Sequence, residues 1–151
     1  MVTKVVVDTN IFINILIGKR ESVAREIFRR CLKRKYQPLM GNALFAEYND
    51  VINRERIASL CPLTDDEKMK LLKAFMSVCD WVRIYYLWRP NLVDALKDTA
   101  THKGDNHLIE LAVAGNAEII VTNNIKDFQQ SQLRFRDLRI LTPKQVLDIS
   151  R

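Results

Sequence analysis

The chain has 151 residues, about one domain, and 48% of them are apolar, enough for a real core. Four glycines, four prolines and no internal repeat or low-complexity tract exclude a disordered or loop-dominated chain. The net charge of +6 (sequence pI about 9.4) leaves polyanion binding open, while three widely spaced cysteines (Cys31, Cys61, Cys79) argue against a disulfide framework or a zinc cluster and for free thiols in a reducing compartment.

Lys4 to Asp8 (KVVVD) is a β-branched run of the kind found in buried strands. The apolar stretch that follows, Ile11 to Ile17, is interrupted by Asn14 and is too short to span a bilayer. No basic segment precedes it and no small-residue cleavage site follows, so a signal peptide is not expected and the cytoplasm is the expected location. It reads as a helix closed near Gly18. Ser22 is placed to cap a second helix with Val23, Ile27 and Cys31 at helical spacing. Arg25, Arg29, Arg30, Lys33, Arg34 and Lys35 crowd this segment, either as a polyanion-binding face or as a solvated helix surface with cations near its C-terminus.

Gln37 to Gly41 reads as a short strand. Asn42 is then expected to cap a helix carrying Leu44, Tyr48, Val51 and Ile52 on one face. Thr64-Asp65-Asp66-Glu67 has the form of a capping box, opening a helix with Met69, Leu72, Phe75, Met76 and Cys79. Trp81 to Leu87 reads as a strand, and Arg89 to Gly104 as a long loop or insertion. Asp105 is expected to cap a helix that ends at Gly115. Glu118 to Thr122 and Arg139 to Leu141 read as strands. Thr142-Pro143-Lys144-Gln145 opens a last helix, with Pro at its first position. Strands alternating with helices predict a single α/β domain, three-layered α/β/α, with a mostly parallel central sheet.

Sites in such sheets form outside the carboxyl ends of the strands. Asp8 ends the first strand, Asp105 starts a helix, and Asn123, Asn124 and Asp127 follow the EIIVT strand. Glu47 falls beside the apolar stripe of its helix, where a carboxylate needs a partner. Each acid alone has a plain reading as a cap, a turn residue or a boundary residue. Together, Asp8, Glu47, Asp105 and Asp127 cannot all stay ionised side by side without cations, and oxygen-only ligands suit Mg²⁺ or Mn²⁺ rather than zinc or copper. Such ions serve phosphoryl chemistry. The two histidines, His102 and His107, are expected to be peripheral, His107 being turned from the Leu108/Ile109/Ala112 face. No nucleotide-binding loop motif and no Ser or Cys nucleophile motif occurs.

The ordered set VVVDTNIFIN, Ala46-Glu47-Tyr48 with Val51 and Ile52, Arg89-Pro90-Asn91-Leu92, GDNHLIELAVAGNAEIIVTNNIKDF and the terminal ILTPKQVLDI resembles the PIN-domain nucleases. The likeness is greatest to the toxin components of prokaryotic toxin–antitoxin pairs, and it runs over nearly the whole chain. It implies a parallel sheet flanked by helices and a metal-dependent endoribonuclease that uses Mg²⁺ or Mn²⁺. Asp8, Glu47 and Asp105 map onto the metal-binding acids and Asp127 onto a fourth. Thr9, Asn10, Thr122 and Asn124 map onto polar neighbours that orient ligands or water. Many relatives have Asp where this chain has Asn124, and the segment Val93 to Gly104 is longer than usual, which leaves Asp98 as an alternative to Asp105. The resemblance also implies a small antitoxin partner and a homodimer. RNA would be gripped through Arg25, Arg29, Arg30, Lys33 and Arg34, since phosphate contacts supply most sequence-independent affinity. The alternatives are a non-catalytic RNA-binding or assembly module on the same fold, and a receiver-type phosphoacceptor. The second would need an acidic pair near the first strand, where only Asp8 is found.

Overall fold

The structure, a computed structural model, describes residues 2–18, 22–83, 106–125 and 137–150. In chain order its elements are β1 (Thr3–Val7), α1 (Thr9–Ile17), α2 (Val23–Leu32), β2 (Tyr36–Met40), α3 (Asn42–Asn53), α4 (Glu55–Leu60), α5 (Asp65–Val78), β3 (Asp80–Trp81), α6 (Asn106–Ala114), β4 (Ile119–Val121), β5 (Arg139–Leu141) and α7 (Pro143–Ile149). The strands form one parallel sheet in the order β3-β2-β1-β4-β5. Helices cover both faces, giving the three-layer α/β/α architecture. That explains the unbroken Val5-Val6-Val7 run: β1 lies at the centre, and all three side chains are buried.

α6 packs across β1, β2 and β4, while α2 and α5 pack on β2 and on each other. Gly115 ends α6 so close to β2 that a Cβ there would lie 2.5 Å from Cδ1 of Leu39. An aromatic cluster ties four helices together. Phe12 of α1 lies 5.7 Å from Phe28 of α2 and 5.2 Å from Tyr48 of α3, and Phe75 of α5 lies 4.3 Å from Phe28 and 5.7 Å from Tyr48, ring centre to ring centre. Each such pair contributes roughly 0.5–1.5 kcal/mol beyond its area burial. The cluster therefore fixes α3 against α1, the two helices that bear Glu47 and follow Asp8.

Local signals explain most boundaries. Ser22 Oγ accepts from the amide of Arg25, and full capping boxes stand at Thr64/Glu67 and Thr142/Gln145, the latter with Pro143 in the first turn. Some expectations are corrected. Gly41, not Asn42, is the N-cap of α3, because the chain stays extended through Gly41 and Asn42 is already helical. β2 runs from Tyr36 to Met40, and β3 is Asp80–Trp81, with Val82 and Arg83 of the expected 81–87 strand already outside it; residues 84–105, with the rest of that expected strand, lie outside the described residues. The short helix α4 had no periodic apolar stripe to announce it; only Ile57 is buried.

β1 leads outward to β2 and β3 on one side, while β4 and β5 lie on the other. The strand order reverses between β1 and β4, the place where open parallel sheets bind ligands. Extended by one residue, the strand registers align Val82, Gly41, Asp8, Thr122 and Thr142 along the carboxyl edge.

Candidate active site at the switch point

Asp8 leaves β1 at the carboxyl edge. Its amide donates to the carbonyl of Val121 (3.0 Å), and its own carbonyl accepts from the amide of Ile11 (3.1 Å). It occupies the N-cap position of α1, yet its side chain makes no hydrogen bond of capping geometry. The carboxylate is turned instead into a polar network across the switch point. Thr122 Oγ1 donates to Oδ2 at 2.8 Å and Asn10 Nδ2 at 3.1 Å. The Thr122 hydroxyl is itself oriented, since it accepts from the amide of Asn124 (3.0 Å) and from Asn10 Nδ2 (3.2 Å). Asn10 Oδ1 accepts from the amide of Asn123 at 3.3 Å. Thr9, Asn10 and Thr122 thus meet the Asp8 carboxylate directly, and Asn124 joins them through its amide to Thr122.

Glu47 reaches the same place from α3. The Thr9 hydroxyl lies 3.4 Å from Oδ1 of Asp8 and 3.4 Å from Oε2 of Glu47, so the two carboxylates face each other across one hydroxyl whose single proton serves one of them. Asp8 is 4% exposed. Burial pushes its carboxyl above the usual range. The Thr122 hydrogen bond pulls it back, the Glu47 charge raises it again, and the amides of Thr9 and Asn10 lower it. Two carboxylates converging on one place supply oxygen ligands, which fit a hard divalent cation of the Mg²⁺ or Mn²⁺ type. Among the described residues no group of three His, Cys, Asp or Glu side chains converges with metal-binding geometry. Asp105 and Asp127 lie outside the described residues, as do Asp98 and His102.

Two contributors were not legible in the sequence. His107, expected at the periphery, is mostly buried on α6 with Nε2 3.0 Å from Oε1 of Glu47. Its phase on α6 turned it from the apolar face, and nothing in sequence linked it to a residue 60 positions earlier. Tyr48, read only as core, is fully buried and donates its hydroxyl to the carbonyl of Val7 at 2.7 Å. The peptide joining Val7 to Asp8 is therefore held at both ends, N–H by Val121 and C=O by Tyr48. Burial holds the phenol well above its ordinary pKa, so it remains a donor. Tyr48→Phe keeps the ring in the aromatic cluster and orphans the Val7 carbonyl. The expected outcome is a loss of about 1–2 kcal/mol in denaturant unfolding and a roughly tenfold fall in the activity of the site.

The basic residues are distributed differently from the acids. Arg25 donates from Nη2 to the carbonyl of Ile15 (3.1 Å), satisfying the last turn of α1. Arg29 and Arg30 pair with Glu26, and Arg30 also donates to the Tyr36 hydroxyl (3.1 Å). Lys33 and Arg34 are exposed, and Arg34 takes the left-handed conformation (φ 62°) that turns the chain from α2 into β2. α2 runs against the strands, so this cluster reaches the amino edge where β2 begins, about 17 Å from the carboxyl edge for a five-residue strand. Among the described residues, the structure does not bring Arg29, Arg30, Lys33 and Arg34 to Asp8 and Glu47.

Comparisons with known proteins bear on the family and the fold. A family model for the PIN domain matches residues 4–126. The fold is also similar to a solved structure, VapBC2 from Rickettsia felis bound to a DNA fragment from their promoter. The two share a TM-score of 0.64 and 18% sequence identity, over 91% of this chain and 97% of that one, a likeness of fold. No curated protein matches the sequence.

Proposed function

The chain belongs to the PIN domain family, and from that premise we propose that it is a divalent-metal-dependent endoribonuclease, the toxin of a toxin–antitoxin pair. The observation that supports this most is the meeting of Asp8 and Glu47 across the Thr9 hydroxyl at the β1/β4 switch point. Asp8 and Glu47 hold an Mg²⁺ or Mn²⁺ ion together with Asp105, and Asp127 completes the set. When bound, the ion supplies activation of water and neutralises charge on the phosphoryl group. The chain's own part is placement. Thr122 and Asn10 fix the rotamer of Asp8, Tyr48 and Val121 fix its backbone, and His107 lies against the outer oxygen of Glu47. The family and the likeness to the VapBC2 structure support a small antitoxin partner, and the resemblance in sequence implies a subunit of a homodimer in the cytoplasm. Among the described residues no helix is long and apolar enough to cross a membrane.

The test is direct. RNA cleavage by the purified chain is expected to stop in EDTA and return with Mg²⁺ or Mn²⁺, and expression is expected to arrest bacterial growth, with Asp105→Asn relieving the arrest. Full cleavage in EDTA would overturn the metal mechanism. Arrest by Asp105→Asn equal to wild type would separate toxicity from catalysis and move attention to Asp98. One observation favours a second reading. The Glu47–His107 contact at 3.0 Å has the composition of a metal-free acid–base pair, and the two readings differ in the products they leave.

A further inference from the structure

The carboxyl edge holds a cavity of about 440 Å³ next to the acid centre. Its walls include Asn14 on α1, Val23 and Ala24 on α2, Asn123 after β4, and Pro143 and Lys144 on α7. It begins where the polar network of the acid centre ends. Asn123, which gives its amide to Asn10, is a wall of the cavity. Asn14 follows Asn10 by one helical turn, about 6 Å along the same side of α1. A row therefore runs from Asp8 through Asn10 to Asn14 and Asn123, and Lys144, from α7, lines the same cavity.

We propose that this cavity is a substrate subsite that takes one nucleotide of a single RNA strand, adjacent to the phosphodiester lying over Asp8 and Glu47. The proposal rests on the nuclease reading above and adds to it where the strand runs: toward β4 and β5, and not along the basic face of α2. The chemistry of the walls suits that occupant. Carboxamides both donate and accept, which matches ribose hydroxyls and base edges, and they add no charge to an already acidic centre. Val23, Ala24 and Pro143 offer apolar surface to a sugar or base. Lys144 is the cation for the neighbouring phosphate. The volume lies in the range of small-molecule sites, roughly 300–1,000 Å³.

The experiment measures binding, so it does not depend on turnover. A fluorescently labelled single-stranded RNA oligonucleotide is titrated in EDTA with the full chain, and anisotropy is followed over a range of salt concentrations. Lys144→Glu is expected to weaken binding about tenfold and to reduce the slope of log affinity against log salt by about one. Asn14→Leu is expected to weaken it several-fold without altering that slope. Lys33→Glu makes the same charge change at the amino edge, and at physiological salt it is expected to shift affinity by less than about twofold. Asn14, Lys144 and Lys33 are all exposed, so each variant is expected to fold. Equal losses from Lys144→Glu and Lys33→Glu would reduce the effect to net charge and overturn the subsite. Wild-type RNA affinity in both cavity variants, with loss of binding to the partner protein, would overturn it in favour of a peptide groove. Absence of RNA binding by the wild-type chain both in EDTA and with Mg²⁺ or Mn²⁺ restored would instead overturn the nuclease reading itself.

Discussion

Asp8→Asn is expected to lower kcat/KM for RNA cleavage by about 10³-fold or more, while the metal-free protein melts at the same temperature as wild type or higher. The two halves of this result have one cause. Asp8 is buried, and its carboxyl is held above the ordinary value, first by burial and then by the charge of Glu47, against the pull of Thr122 and the amides of Thr9 and Asn10. A carboxyl whose folded pKa is raised favours folding while it is protonated, at low pH, and that contribution is lost as pH rises through the raised value. Asparagine carries no charge and can still accept from Thr122, so the variant escapes the loss. In EDTA, the melting temperature of wild type should fall relative to Asp8→Asn as pH is raised from about 4 to about 8. Adding Mg²⁺ or Mn²⁺ should raise wild type and leave the variant nearly unchanged. A wild-type chain that gains on the variant with rising pH in EDTA would contradict the assignment of Asp8 as an uncompensated buried acid.

Cleaved RNA is expected to carry 5′-phosphate and 3′-hydroxyl ends, and a substrate blocked by 2′-O-methyl at the cleavage position is expected still to be cut. Both follow from water as the nucleophile, since water attack does not use the ribose 2′-hydroxyl. The opposite outcome has a specific structural candidate. Acid–base ribonuclease chemistry needs a proton acceptor and a donor near neutrality, and histidine is the usual side chain for it. His107 stands 3.0 Å from Glu47 within the site. Ends bearing 2′,3′-cyclic phosphate, with no cutting of the 2′-O-methyl substrate, would assign catalysis to that pair. His107→Ala separates the readings further: it should eliminate acid–base cleavage outright, whereas a residue that merely flanks Glu47 should cost roughly 10–100-fold. Mass spectrometry of one cleaved oligonucleotide decides the ends.

The elements most legible in the sequence were those whose cause is local. Val5-Val6-Val7 shows burial on both faces, Thr64/Glu67 and Thr142/Gln145 cap reciprocally within four residues, and Ser22 needs only the amide three residues on. What sequence could not give was lateral. Asp8 has the position of a helix cap, and only the arrival of Thr122 from 114 residues away shows that its carboxylate is used elsewhere. Glu47 read correctly as a boundary residue, but its neighbours Asp8 and His107 belong to other elements. Gly41 displaced Asn42 as cap because an extended glycine satisfies the backbone requirement without any side-chain bond. The basic residues show what composition leaves out. Helix α2 carries Arg29, Arg30, Lys33 and Arg34 away from the edge on which Asp8 and Glu47 lie, and composition has no sense of direction.

The reversal of strand order between β1 and β4 has a consequence in time. A ribosome delivers β1, then β2 and β3, before β4 exists, so the place beside β1 stays empty until residues near 120 have been made. Asp8 and Glu47 are translated early, but Thr122, which holds the Asp8 carboxylate, comes only after β4. A chain still under synthesis has Asp8 and Glu47 without the strand that organises them. Truncation before β4 should leave a fragment with no cleavage at all, so the cell that makes this chain would meet the proposed activity only after β4 has been made.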